Sequence, residues 1–191
     1  IEELQRRDQI KEEMAIARQI QTQYLPIALP KVPGMDVAAR LSSAEEIGGD
    51  FYDFVERDDG RIGVFIGDVS GKGVPAALTM VLSMTHMTEL MLSASDPSVF
   101  MKCAHRRIMR FSKGIQYVTS AAVFVDTARR QIEFSQAGHQ PILHYHAQSG
   151  EIRELSEGGL PLGMYDDLDD YPFGSIAVDP ADLLLLYTDG V

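Results

Sequence analysis

Three acidic residues stand out by type and setting: Asp50 in Gly48-Gly49-Asp50-Phe51-Tyr52-Asp53, Asp68 in Gly67-Asp68-Val69-Ser70-Gly71-Lys72-Gly73, and Asp189 in Thr188-Asp189-Gly190-Val191. Each has a glycine beside it, and each falls at the end of a predicted strand. Hard divalent cations take several oxygen ligands. Carboxylates on separate strands can aim at one point, while glycine lets a backbone carbonyl come close. The chemistry suggested is metal binding. A single Asp-Gly pair is ordinary turn chemistry, so it is the threefold repetition at strand ends that carries the suggestion. Asp53 is a fourth candidate, but it lies three residues beyond Asp50 and faces the other side of a regular strand.

Other chemistries find less support. Gly71-Lys72 resembles the end of a phosphate-binding loop, but that loop needs glycine where this chain has Ile66 and Ser or Thr where it has Gly73. Cys103 is the only cysteine, which excludes an internal disulfide and a cysteine zinc cage and suits a reducing cytosol. It lies in a helical pattern and is expected to be a small core residue. His139, in Ala137-Gly138-His139-Gln140-Pro141, is a candidate general acid; the competing reading is a histidine satisfying backbone groups at a strand connection. His86 is expected at a core or helix interface, and Met80, Met84, Met87 and Met91 in core packing.

These residues need a frame. With 191 residues, 45% of them hydrophobic, the chain has material for one domain and an appendage. A net charge of −11 disfavours a nucleic-acid partner, which needs a basic footprint. The acidic run at 166–170 reads as solvated surface. No apolar stretch is long enough to span a membrane and no signal-peptide core is present, so a cytoplasmic location is expected.

Residues 1–25 read as one amphipathic linker helix with apolar positions Ile10, Met14, Ala17, Ile20 and Tyr24, stopped by Pro26. It either lies on its own domain or forms a coiled coil that dimerises the chain and carries a signal from an upstream sensor domain; Gln21 interrupts the seam. Residues 26–191 form the main domain. Strands are expected at 35–40, 51–56 and 61–67, the last two joined through Asp58-Asp59-Gly60. A helix from Pro75, apolar on most faces, should be sandwiched between layers, and a second starts after the N-cap pair Asp96-Pro97. Strands return at 117–125, 131–135, 141–146, 152–155, 175–178 and 182–187. The order is α+β, with two mainly antiparallel sheets flanked by helices. Residues 183–187 should be an interior strand, yet no return element follows, so the domain is expected to be truncated at its C-terminus.

Several segments are specific in order and spacing: Ala15-Ile-Ala-Arg-Gln-Ile-Gln with Tyr24-Leu-Pro, Gly48-Gly-Asp-Phe-Tyr-Asp, Gly67-Asp-Val-Ser-Gly-Lys-Gly-Val-Pro-Ala-Ala-Leu, Ala137-Gly-His-Gln-Pro, Gly159-Leu-Pro-Leu-Gly and Thr188-Asp-Gly-Val. Together they resemble the metal-dependent serine/threonine protein phosphatases of the PPM (protein phosphatase 2C-like) type, in the bacterial branch of sporulation protein E and the RsbU-like stress-response regulators. The resemblance implies an α-β-β-α sandwich binding two Mn²⁺ or Mg²⁺ ions. By motif, Asp50 and Asp68 would be ligands, with the Val69 carbonyl beside Asp68 and Asp189 the acid from the late strand. It further implies hydrolysis of phosphoserine or phosphothreonine by metal-activated water, with no covalent phospho-enzyme. The implied substrate is a phosphorylated anti-sigma-factor antagonist. A further metal-binding aspartate of the family pattern lies beyond residue 191. The alternative is a catalytically inactive interaction module on the same fold.

Overall fold

The structure is a computed structural model, and it describes residues 2–26, 28–42, 47–167 and 170–190. Helix α1 covers Glu2–Thr22, followed by strands β1 (Phe51–Glu56) and β2 (Ile62–Val69), helices α2 (Gly73–Ser93) and α3 (Pro97–Ser112), and strands β3 (Val118–Asp126), β4 (Gln131–Ala137), β5 (Ile142–His146), β6 (Glu151–Leu155), β7 (Gly158–Gly159), β8 (Gly174–Ala177) and β9 (Leu183–Leu185). The first sheet has the order β1-β2-β3-β4-β7, with β8 also pairing with β4; the second has the order β6-β5-β9. All pairs are antiparallel except β4 with β7. The α+β class with two mainly antiparallel sheets is the one expected.

Alternation along the strands divides the core in two. Phe51, Phe65, Val118, Ala122 and Phe124 face the helices, where they meet Met80, Met84, Met87 and Met91 of α2 and Phe100 and Ile108 of α3. Ala121, Val123, Ile132 and Phe134 face the other way and pack on Ile142 and Leu155 of the second sheet. The four methionines are core, as expected. His86 stacks on Phe111 at the α2–α3 interface, with ring centroids 5.9 Å apart.

The β1–β2 hairpin is locked at its turn. Asp59 accepts from the guanidinium groups of Arg57 and Arg61, which hold its carboxyl well below the usual range. The buried Arg57 also donates to the carbonyls of Met91 and Ala94 at the end of α2. Helix C-termini leave carbonyls without intrahelical donors, and Arg57 supplies them.

Five sequence expectations are corrected. Residues 35–40 form no strand; Met35 makes only an isolated bridge to Val32 across a turn, because no neighbouring strand pairs with this stretch. Helix α2 begins at Gly73, and it is not sandwiched: Val74, Leu78, Leu82 and Leu92 are exposed, since the first sheet and α3 cover only its methionine face. Helix α1 does not present one seam. Met14 and Ala17 are half-buried and Gln21 is buried, whereas Ile16 and Ile20 point to solvent. Strand β9 is shorter than the expected 182–187, covering Leu183–Leu185, and pairs with β5 with Leu183 and Leu185 exposed. Cys103 is half-buried in α3, not in the core.

Strand β7 had no signal, because Gly158-Gly159 pairs with β4 through backbone alone. Helices α2 and α3 lie against the first sheet, and α1 lies against α2. On the outer face of the second, the cross-strand neighbours Tyr145, Ile152 and Leu183 are exposed. In the acidic run, Asp166, Asp167 and Asp170 are exposed; Leu168 and Asp169 lie outside the described residues. Among the described residues, no helix is long and apolar enough to cross a membrane.

Candidate metal centre

The hairpin register brings the first two acids together. Phe51 pairs with Gly67, so Asp50, one residue before β1, comes opposite Asp68 near the end of β2. The two carboxyl groups are close enough to share a proton. Asp68 is raised to about 6, by burial first and then by the charges of Asp50 and Asp189. Asp50 is raised as well, chiefly by burial and then by Asp189, against a lowering hydrogen bond from Thr188. That bond, from Thr188 Oγ1 to Asp50 Oδ2 at 3.1 Å, ties the segment after β9 to the pair.

Gly49 closes the other side. A Cβ there would stand 2.8 Å from the Val69 carbonyl oxygen and 2.9 Å from Asp68 Oδ1, a space that only glycine leaves open. Val69 N–H donates to the Gly49 carbonyl at 3.3 Å. The turn after Asp68 is held from β3: Ser70 N–H donates to the Tyr117 carbonyl at 2.9 Å, and Tyr117 N–H to Ser70 Oγ at 3.0 Å. Gln116 joins that turn to α2, donating to the Ser70 carbonyl and accepting from Thr79. From the opposite direction, Gln21 Nε2 of α1 donates to the Gly48 carbonyl at 2.6 Å, so the linker helix touches the loop that carries Asp50.

Hard oxygen donors on two carboxyl groups that burial and Asp189 both raise, with a closely approached carbonyl, fit a divalent cation of the Mg²⁺ or Mn²⁺ type. Asp50, Asp68 and Val69 form the nucleus. The exposed Asp189 is near enough to raise both acids, but among the described residues no three His, Cys, Asp or Glu side chains converge tightly enough to hold an ion as they stand. Asp53 is not brought to the site: it accepts from Thr88 Oγ1 of α2 at 2.6 Å and from the Phe54 N–H at 2.8 Å, bracing β1 against the helix. His139 lies beside the site with Nδ1 2.9 Å from Thr119 Oγ1. Burial pushes its ring down to about 4, against the opposing pull of the Tyr187 backbone and Asp189. A ring neutral at pH 7 lacks the extra proton that an imidazolium acid gives up. Thr188 and Thr119 were not singled out from sequence, and only the adjacency of Thr188 to Asp189 could have signalled one of them; Gly49 was marked as the glycine beside Asp50.

A concavity of about 530 Å³ lies beside the hairpin turn, away from the carboxylates. Its charges are paired locally, Arg61 with Asp59 and Glu133, and Arg129 with Asp126.

Two sheets with acids gathered at one end of the β1–β2 hairpin have the fold of a PP2C domain. The chain superposes on the SiaA-PP2C domain of Pseudomonas aeruginosa with a TM-score of 0.71, at 21% identity over 93% of this chain and 71% of that one. The RsbU and RsbW domains of Rv1364c from Mycobacterium tuberculosis match with a TM-score of 0.66, at 26% identity over 78% of this chain and 41% of that one. The chain belongs to the stage II sporulation protein E (SpoIIE) family, whose model matches residues 58–191. Two curated relatives come from Bacillus subtilis strain 168. The phosphoserine phosphatase RsbU is 30% identical over 96% of this chain and 54% of its own length, and the phosphoserine phosphatase RsbP is 31% identical over 95% and 45%. The chain thus spans about half the length of the curated relatives it matches.

Proposed function

We propose that this chain is the catalytic unit of a metal-dependent phosphoprotein phosphatase that hydrolyses phosphoserine or phosphothreonine on a regulatory protein. The observation that carries the reading is the Asp50–Asp68 pair, opposed by the hairpin register and closed by Gly49 over the Val69 carbonyl. Asp50, Asp68 and Val69, with Asp189 swinging in from the end of β9, would hold Mn²⁺ or Mg²⁺. The bound cation would acidify water and neutralise phosphoryl charge. The chain's own part is to hold the oxygens on strand ends and to fix Asp50 through the Thr188 hydroxyl. Similarity to the phosphoserine phosphatases RsbU and RsbP supports phosphoserine as the group hydrolysed, and the motif resemblance points to a phosphorylated anti-sigma-factor antagonist as the protein that carries it.

The test is Mn²⁺-dependent phosphate release from p-nitrophenyl phosphate and from such a phosphoprotein. Activity is expected to need the metal and to fall at least a hundredfold in Asp50→Asn. Equal rates with and without that carboxylate would sink the reading.

Regulation through α1 forms part of the same proposal. The Gln21 contact with Gly48 offers a path from an upstream sensor domain to Asp50, and exposed Ile16 and Ile20 offer a helix-pairing edge for a homodimer. Gln21→Ala is expected to raise the Mn²⁺ concentration for half-maximal activity by about three- to tenfold, matching the loss of a hydrogen bond worth about 1 kcal/mol, with activity at saturating Mn²⁺ retained. An unchanged Mn²⁺ titration would leave α1 as packing alone.

A further inference from the structure

His139 is assigned no part above, yet its position is heavily constrained. Thr119 stands directly across from Asp68 in the β2–β3 register and offers its hydroxyl to His139 Nδ1 on the far side. The preceding residue is pinned: Gly138 has φ +60, its N–H donates to the Gly159 carbonyl at 2.8 Å, and a Cβ would lie 2.5 Å from the Pro161 side chain. Such a backbone conformation with so little space admits glycine and sets the direction in which the next side chain leaves. The remaining ring nitrogen, Nε2, is buried and has no hydrogen-bond partner within bonding distance. Buried polar atoms without partners are rare in native proteins and call for a reason.

The reason lies in the segment after β9. The groups that favour a proton on the ring are the Tyr187 backbone and the Asp189 carboxylate. With Nδ1 held by Thr119, the nitrogen left to meet them is Nε2. A bare Nε2 lone pair would oppose a carbonyl and a carboxylate, so the tautomer that suits the site carries its hydrogen on Nε2 and accepts at Nδ1 from the threonine hydroxyl.

We infer that His139 is a positioning residue: anchored on Thr119, its ring steers the Tyr187-Thr188-Asp189 segment so that Thr188 reaches Asp50 and Asp189 can join the carboxylate pair. The inference rests on the metal-centre reading above and assigns one of its controls. A hydrogen bond from Nε2–H to the Tyr187 backbone is the pairing that satisfies this buried nitrogen. The strand end is thereby guided from the first sheet, across the gap between the sheets. Histidine suits the task because its flat ring bridges the Thr119 hydroxyl and the Tyr187 backbone with one acceptor and one donor, the arrangement by which outer groups orient ligands in metal sites.

The test uses the whole chain as wild type, His139→Ala, His139→Gln, Thr119→Val and the Thr119→Val/His139→Ala double variant. Mn²⁺ binding is read by electron paramagnetic resonance without turnover. His139→Ala and Thr119→Val should each weaken it about tenfold or more, as removing outer-shell partners does. The double variant should be no weaker than His139→Ala, because both remove one connection. His139→Gln, whose amide can accept from Thr119 and donate to Tyr187, should stay within about threefold of wild type. A long-range ¹H–¹⁵N spectrum should show the Nε2–H tautomer.

Unchanged Mn²⁺ binding in His139→Ala, additive losses in the double variant, or an Nδ1–H tautomer would each overturn the inference. So would a glutamine variant as poor as alanine whose KM for the phosphoprotein rises at constant Mn²⁺ affinity, since that places the ring on the substrate. Absence of Mn²⁺ binding by the wild type would remove the inference and the metal centre together. Mn²⁺ binding without phosphatase activity would sink only the proposed function, and the binding and tautomer results would still decide the role of His139.

Discussion

Asp68→Asn is expected to abolish metal-dependent phosphatase turnover while raising the melting temperature of the metal-free domain at pH 7.5. The two effects have one origin. In the folded chain Asp68 is raised to about 6, by burial and by the charges of Asp50 and Asp189, whereas an unfolded aspartate titrates near its ordinary value of 3.8. Between those values the folded state binds more protons than the unfolded state, so stability falls as pH rises through the window. Above about pH 6 the fold carries the full repulsion of the site.

Asparagine removes that charge. Because water partly screens the site, the relief is set at about 1 kcal/mol, or roughly 2–4 °C for a domain of this size. The advantage of the variant should vanish only well below pH 3.8, where the aspartate is neutral in both states. Mn²⁺ should reverse the order. A cation held by the native pair stabilises by mass action, about 2.7 kcal/mol at one hundred times its dissociation constant, and the variant loses this gain. Turnover should fall by roughly a thousandfold, as expected when several kcal/mol of cation-derived stabilisation are withdrawn. Thermal melts with and without Mn²⁺ at two pH values check the crossing, and a metal-free variant less stable than wild type at pH 7.5 would contradict the electrostatic account of the site.

Gly49→Ala should be nearly as damaging, by steric means alone. The added methyl would meet the Val69 carbonyl at 2.8 Å and Asp68 Oδ1 at 2.9 Å. Neither can yield cheaply: the first is backbone in a sheet, and the second is a proposed ligand. The loop must lift, taking Asp50 with it. Mn²⁺ affinity is expected to fall by about 10- to 100-fold, with a stability cost of about 1–3 kcal/mol typical of overpacking. Gly190→Ala is the graded control, because its Cβ would stand 3.1 Å from Asp50 Oδ2 and 3.5 Å from Thr188 Oγ1, both side-chain ends and neither of them backbone. It should lose less. Calorimetric Mn²⁺ titration of the two variants would expose the error if Gly49→Ala bound normally, since the carbonyl and carboxylate would then have room that the structure denies them.

Much of this arrangement was legible beforehand. The β1–β2 hairpin follows from two apolar runs around Asp58-Asp59-Gly60, and α3 from its Asp96 cap, whose side chain accepts from the Val99 N–H at 2.9 Å. Such features depend on neighbours within a few residues, where turn chemistry and periodicity act directly. Asp50 and Asp68 were recognisable for the same reason, since a hairpin with a known turn brings its two ends together.

What lay beyond reach depended on pairing between distant segments. Residues 35–40 have a strand-like pattern and no strand beside them. Helix α2 is apolar on most faces, yet Leu78 and Leu82 are exposed because coverage is decided by what packs nearby. Arg57 carried no sequence signal for burial, which follows from the end of α2 meeting it with open carbonyls.

By itself the sequence determined the kinds of oxygen donors, the strand ends that carry them and the glycines beside them, because these are local matters of residue type and backbone freedom. Only the tertiary structure decided that Thr119 stands across from Asp68, that His139 leans on Thr119, that Gln21 touches Gly48 and that Thr188 reaches Asp50 over 138 positions of chain. Those contacts arise from strand register and from the packing of one layer on another, which no short stretch of sequence contains.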